Sequence, residues 1–343
     1  MLITSIQELR LASPAHALDS IDSLVGFIDN SEHDFLEDKL GTPLYNALQK
    51  WYDSNDIIRS SVTDYKTGYY NRLLLMAQRV VAFDALGRAI GMQAISVNNA
   101  GINQMIAEDY PAPDKNGKTI DLYRETCNKE AHAALNQLLR QLEQWCKEDN
   151  EEEERQAIVT DWKESRYYYL AAELLIPSCE ALQSYLNIYD SREKFIQLLP
   201  DLQFIQEEQI ATSVGDDLMK ALVDFSTNGT KPDGVEEALL QTVLHRLRKV
   251  MAALLAGRTS VLKYTKEQKV QFHDDGVRMF ETAINYLRAH QQDFPEDLVK
   301  NAPWYVAPPE PPASKPSPCE SPCAGGFVKE HSSGAALWTQ PLL

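Results

Sequence analysis

Apolar residues fall on helical spacing along most of this chain. Between 20 and 40, Leu24, Phe27, Ile28, Phe35, Leu36 and Leu40 predict a helix that Gly41 stops. Pro43 then sits in the first turn of a second helix through Leu44, Leu48 and Trp51. A long helix over 69–95 carries Leu74, Met76, Ala77, Val80, Val81 and Ile90, so neighbours must cover it on more than one side. Ala131, Ala134, Leu135, Leu138, Leu139 and Leu142 make the cleanest stripe. Two more helices follow, one over 235–255 with Leu240, Val243 and Leu247 inward, and a last one with Val277, Phe280, Ala283, Ile284 and Leu287. The pattern breaks in two places. Residues 2–9 alternate weakly and read as a short strand or an arm. Residues 96–118, with Asn98-Asn99, Gly101, Pro111, Pro113 and Asn116-Gly117, predict a hairpin protruding from the helices.

These elements recur. Leu2-Ile3-x-Ser5-x-x-x-Leu9 returns as Leu175-Ile176-x-Ser178-x-x-x-Leu182. Leu40-Gly41-x-x-Leu44-x-x-Ala47-Leu48 returns as Val214-Gly215-x-x-Leu218-x-x-Ala221-Leu222, and Arg79-Val80-x-Ala82 with Gly87-Arg88 returns as Lys249-Val250-x-Ala252 with Gly257-Arg258. Asp19-Ser20 and Asp190-Ser191 are matching N-cap pairs. Three signals in one order, about 170 residues apart, are too long a period for a solenoid and imply folded domains in tandem. The fold class expected is mainly α: two duplicated helical-bundle modules with a short hairpin excursion and a Pro-rich C-terminal tail. The first module spans 1–147, an acidic linker 148–160, the second module 161–296 and a largely disordered tail 297–343. The linker follows from six carboxylates in 148–154, a block that repels itself; the tail follows from nine of the seventeen prolines lying in 303–341.

At 343 residues the length fits two domains, and 44% hydrophobic content suffices for packed cores. A net charge of -17 has the wrong sign for wrapping nucleic acid or docking on an anionic membrane. No stretch is apolar enough to span a bilayer or to resemble a signal peptide, and the five cysteines read as reduced thiols, so synthesis in a bacterial cytoplasm is expected.

Motifs for chemistry are missing. There is no phosphate loop, no His-Glu-x-x-His, no Glu-x-x-His and no Gly-x-Ser-x-Gly, and Cys319-x-x-x-Cys323 lacks a second ligand pair. His273-Asp274-Asp275 reads as a charged turn before a helix. No enzyme, cofactor or metal is expected. The residues expected to carry function are contacts: Asn99, Gly101, Ile102, Tyr110 and Pro111 in the excursion, and Trp304, Phe327 and Trp338 in the tail, where aromatic anchors can fill a partner's pocket.

The Leu-Gly-x-x-Leu-Tyr-x-x-Leu run at 40–48, the Arg79-Val80 helix, Asn99-Ala100-Gly101-Ile102 and the entry to the second copy over 162–191 resemble an uncharacterised family encoded in Bacteroidetes phages and prophages. Its members look like head-tail connector (adaptor) proteins, and the resemblance covers about 10–295. It implies a structural virion protein in the neck: a helical module that rings with copies of itself, docks beneath the portal protein and offers a surface to the next neck or tail protein, with DNA only as passing cargo. The alternative is a cytosolic helical interaction module, unrelated to virions, that holds a peptide or helix in the groove between its modules.

Overall fold

Ser5 opens the first helix because its hydroxyl accepts the Glu8 backbone N–H while the Glu8 carboxylate accepts the Ser5 N–H, a reciprocal cap that satisfies two otherwise orphaned donors. The segment expected as a strand or arm is therefore a buried extended entry, Leu2 and Ile3, followed by helix α1, Ile6–Ala12. The structure, a computed structural model, describes residues 1–13, 20–55, 62–93, 95–98, 101–104, 118–148, 152–165, 168 and 173–307. Its fold is mainly α.

Helix α2, Val25–Ser31, continues through a π-helical turn, Glu32–Glu37, and a last turn, Asp38–Leu40, to Gly41. Helix α3, Thr42–Ser54, follows, then the antiparallel pair α4, Tyr69–Gln93, and α5, Lys118–Lys147. Contacts at both ends fix that pairing: Tyr69 meets Trp145 edge-on, and Gly87 lies against Cys127 and Asn128. Strands β1, Ile95–Asn98, and β2, Gly101–Gln104, pair antiparallel with Ile95 opposite Gln104. Helix α6, Glu153–Lys163, closes the first half.

The second half runs through a similar order of helices, without a hairpin between its two long helices. Ser178 caps α7, Cys179–Gln183; Ser191 caps α8, Arg192–Phe204, which continues through a π-helical turn, Ile205–Ala211, and Thr212–Val214 to Gly215. Helices α9, Asp216–Asn228, α10, Glu237–Arg258, α11, Lys266–Ala289, and α12, Glu296–Val299, complete it. His273-Asp274-Asp275, expected in a turn, lies inside α11. Gly41 and Gly215 both adopt positive φ, 82° and 97°, and a Cβ there would sit 3.0 Å from the Ser165 Cβ or 2.9 Å from the Ala302 Cβ. Only glycine meets both demands, which explains the second repeated signal.

The π-helical turns explain a correspondence that sequence matching alone does not reach. In the first half Glu32 accepts the Leu2 N–H at 2.6 Å, while Gln78 donates to the Leu2 carbonyl at 2.7 Å. In the second, Gln206 accepts the Leu175 N–H at 2.8 Å and Arg248 donates to the Leu175 carbonyl at 2.7 Å. Each entry segment is thus fastened by one acceptor on a widened helix and one donor on the long helix.

Burial pushes the Glu32 carboxyl above the ordinary 4.5, against the Leu2 N–H, the terminal ammonium and the Tyr45 hydroxyl, which favour its charge. A carboxyl raised on folding stabilises most at low pH, and that contribution is lost as pH rises through its folded pKa. Glu32→Gln, which copies Gln206, is therefore expected to match or exceed wild-type stability at pH 7 and to flatten the decline above pH 4.5. Glu32→Ala is expected to cost about 2–4 kcal/mol, because it orphans two buried donors. Urea unfolding at several pH values checks both.

Two expected boundaries move. Residues 148–160 are not a linker throughout: α6 begins at Glu153, buries Arg155, Ile158 and Trp162, and packs against α3, α4 and α5. The charge block is tolerated because Glu154 accepts the backbone N–H groups of Tyr69 and Tyr70 at 3.1 and 3.0 Å, a carboxylate on a helix N-terminus. At the other end the compact body extends to Tyr305, and Val306–Leu343 forms a separate unit.

Candidate functional site

The halves meet where the N-terminus of α8 lies against α5. Asn136 on α5 accepts the Arg192 backbone N–H at 2.9 Å, an orphan donor of the helix's first turn. The Arg192 side chain is fully buried; its Nε donates to Glu143 Oε2 at 3.0 Å, and Nη2 sits 2.9 Å from the same oxygen. Nη1 reaches Asp190 Oδ1 at 3.3 Å. Around this centre lie His132 with Glu193 at 2.7 Å and Lys147 with Glu180 at 3.0 Å.

The His132–Glu193 pair makes the junction respond to pH. Its hydrogen bond to Glu193 raises the His132 pKa above 6.5 against the opposing effect of burial. The same bond, with the charges of His132 and Lys39, lowers the Glu193 pKa below 4.5. Histidine's contribution is complete below 6.5 and lost as pH rises through its raised value; glutamate's is complete above 4.5 and lost as pH falls through its lowered value. The thermal midpoint is expected to fall as pH rises above 6.5, and His132→Asn is expected to remove part of that fall in scanning calorimetry.

Beside the junction is a cleft of ≈ 460 Å³, with Trp162, Tyr168 and Pro177 as its apolar wall and Glu143, Lys147 and Arg248 among its polar groups. Trp162 and Tyr168 meet edge to face at 5.3 Å. Arg248 is committed: besides holding the Leu175 carbonyl, it donates to Ser226 Oγ at 2.7 Å. Cys146 faces this cleft, and burial pushes its thiol up to about 11; Cys179 is pushed up to about 12 by the same cause. Neither is an activated thiolate at neutral pH. Among the described residues no group of three His, Cys, Asp or Glu side chains converges to hold a metal ion, and no helix is long and apolar enough to cross a membrane.

The expected contact residues have different fates. Gly101 and Ile102 lie on β2, where Gly101 pairs with Asn98 and Ile102 with Val97. Asn99, Tyr110, Pro111, Phe327 and Trp338 lie outside the described residues. Trp304, expected as a tail anchor, is instead a core residue, 2% exposed, with Nε1 donating to the Val214 carbonyl at 2.9 Å. Proximity to the Pro-rich tail misplaced it; its indole closes the end of the helix before Gly215. The junction residues Asn136, Glu143 and Arg192 gave no local signal, since Arg192 and Glu143 stand 49 positions apart.

The profile of a family described as "Family of unknown function (DUF6712)" matches residues 36–150, from within the first π-helical turn to just past the end of α5. No curated protein and no solved structure matches the chain.

Proposed function

We propose that this chain is a structural building block of a tailed-phage neck, a head-tail connector that rings with its own copies, docks on the portal protein and receives the next neck or tail protein. What supports this reading is the similar order of helices in the two halves, which meet at a buried polar junction, as expected of a duplicated building block. The hairpin β1–β2 adds an extended element whose backbone can pair with a neighbour's strand. A net charge of -17 suits a passage that DNA crosses without sticking, since phosphate and carboxylate repel. Residues 306–343, nearly all outside the described residues, are the candidate for a further contact with a neighbouring subunit.

Mixing the purified chain with the portal protein encoded in the same genome tests this. The reading expects added ring density on one face of the portal in electron micrographs. A strict monomer that leaves the portal bare under assembly conditions would refute it.

The cleft beside Trp162 and Tyr168 favours a second reading, a cytosolic interaction module that holds a peptide or helix between its halves. Tyr168→Ala, at a partly buried side chain of the cleft, separates the two: it would weaken peptide capture under the second reading and leave portal docking intact under the first.

A further inference from the structure

The two long helices of the first half are joined by residues 94–117, those of the second half by residues 259–265, which make the same kind of turn without a hairpin. A short connection suffices, so β1–β2 is an addition that the helix pair does not need. Among the described residues the sheet has two strands, and each strand leaves one edge without a strand beside it. A sheet of two short strands is marginal alone in water. Asn98 opposite Gly101 closes the hairpin, and hydrogen-bonded pairs alternate from there: Asn98 bonds Gly101 and Ser96 bonds Asn103, whereas Ile95, Val97, Ile102 and Gln104 turn their backbone N–H and C=O groups to the outer edges. Proteins ordinarily guard such edges with charge or proline. Neither is present here: residues 89–107 contain no proline and form the longest run without Asp, Glu, Lys or Arg, in a chain of which 24% is charged.

We infer that the hairpin of a second copy of this chain fills these edges, β2 of one chain pairing with β1 of the next. Copies that each carry a net charge of -17 repel one another over most of their surface, and the charge-free run is where two backbones can approach without bringing carboxylates together. A basic partner, by contrast, finds no carboxylate in this run to attract it. Head-to-tail pairing is favoured over two-fold pairing because β1 on β1, or β2 on β2, leaves the other edge of both copies open, whereas β2 on β1 covers both edges of every chain once the series closes. The inference rests on the self-assembling part of the proposed function and names the backbone that performs it.

Proline separates the edges from the hairpin itself, since it removes one N–H and is tolerated in a strand where that N–H faces solvent. In full-length protein Val97→Pro blocks the β1 edge and Ile102→Pro the β2 edge, each sparing the bonds between the two strands. Val97→Thr and Ile102→Thr keep the N–H and serve as controls, and circular dichroism verifies folding. Each proline variant is expected to raise the dissociation constant for self-assembly by about tenfold or more in sedimentation velocity, because a carbonyl of the neighbour loses its donor, while the threonine variants assemble as wild type does. Mixed in equal amounts, the two proline variants are expected to form a one-to-one pair and nothing larger, since only one intact β2 edge meets one intact β1 edge. Wild-type assembly by both proline variants would overturn the inference and leave the building-block reading standing. So would threonine variants as impaired as the proline ones, which would give assembly to the side chains, and so would a stable dimer of either proline variant alone, which would make the pairing two-fold. A wild-type chain that stays monomeric would overturn both.

Discussion

Replacing Trp304 by alanine is expected to cost about 3–5 kcal/mol of folding stability. The indole is among the largest fully enclosed side chains, and its Nε1–H satisfies the Val214 carbonyl at the end of a helix whose next residue, Gly215, turns at φ 97°. Truncation removes the aromatic volume and leaves that carbonyl without its donor. It also frees the turn that presses Ala302 against Gly215, where the space has no room for a Cβ. Trp304→Phe keeps most of the volume and loses the hydrogen bond, and should cost about 1–2 kcal/mol. Denaturant unfolding checks both. A loss below about 1 kcal/mol for the alanine variant would mean that the indole belongs to the tail after all.

Arg192→Ala is expected to be comparably severe, about 3–5 kcal/mol, because it takes from Glu143 its closest counter-charge at the junction of the halves. Glu143 has 11% of its side chain exposed and depends on the guanidinium for its closest counter-charge. The damage comes from weaker compensation of a mostly buried carboxylate more than from the lost bond. Arg192→Met with Glu143→Leu, which removes both charges and keeps the volume, is therefore expected to recover most of the loss. If the double variant is as unstable as Arg192→Ala, the cost lies in packing and not in the loss of the carboxylate's counter-charge. Arg192→Lys should recover little, since one ammonium cannot reproduce the guanidinium's reach to both Glu143 and Asp190.

Much of the helical framework was legible in the chain. The stripes through α4, α5, α10 and α11 are long enough for periodicity to settle the element type, and Gly41 and Gly215 mark helix ends that positive φ and close approach both demand. Ser5-x-x-Glu8 was readable as a cap, yet weak alternation over 2–9 competed with it and the cap prevails. The π-helical turns were not legible, because one extra residue per turn leaves a 3.6-residue pattern nearly unchanged over six or seven residues.

Long-range pairing defeated sequence reading in both directions. The acidic run at 148–154 reads as solvated because its nearest neighbours in sequence are acids, whereas Glu154 finds the N-terminus of α4 some 85 positions earlier. Trp304 reads as tail because prolines follow it, whereas its partner is Val214, 90 positions earlier. Arg192 looks like an ordinary first-turn residue until α5 is set beside it.

The building-block reading requires that the chain assemble with its own copies. Sedimentation velocity of the full-length protein over a wide concentration range tests it most directly. Species at successive multiples of the 38.8 kDa chain mass are expected, converging with concentration on one closed assembly. A single 38.8 kDa species at every concentration would contradict it.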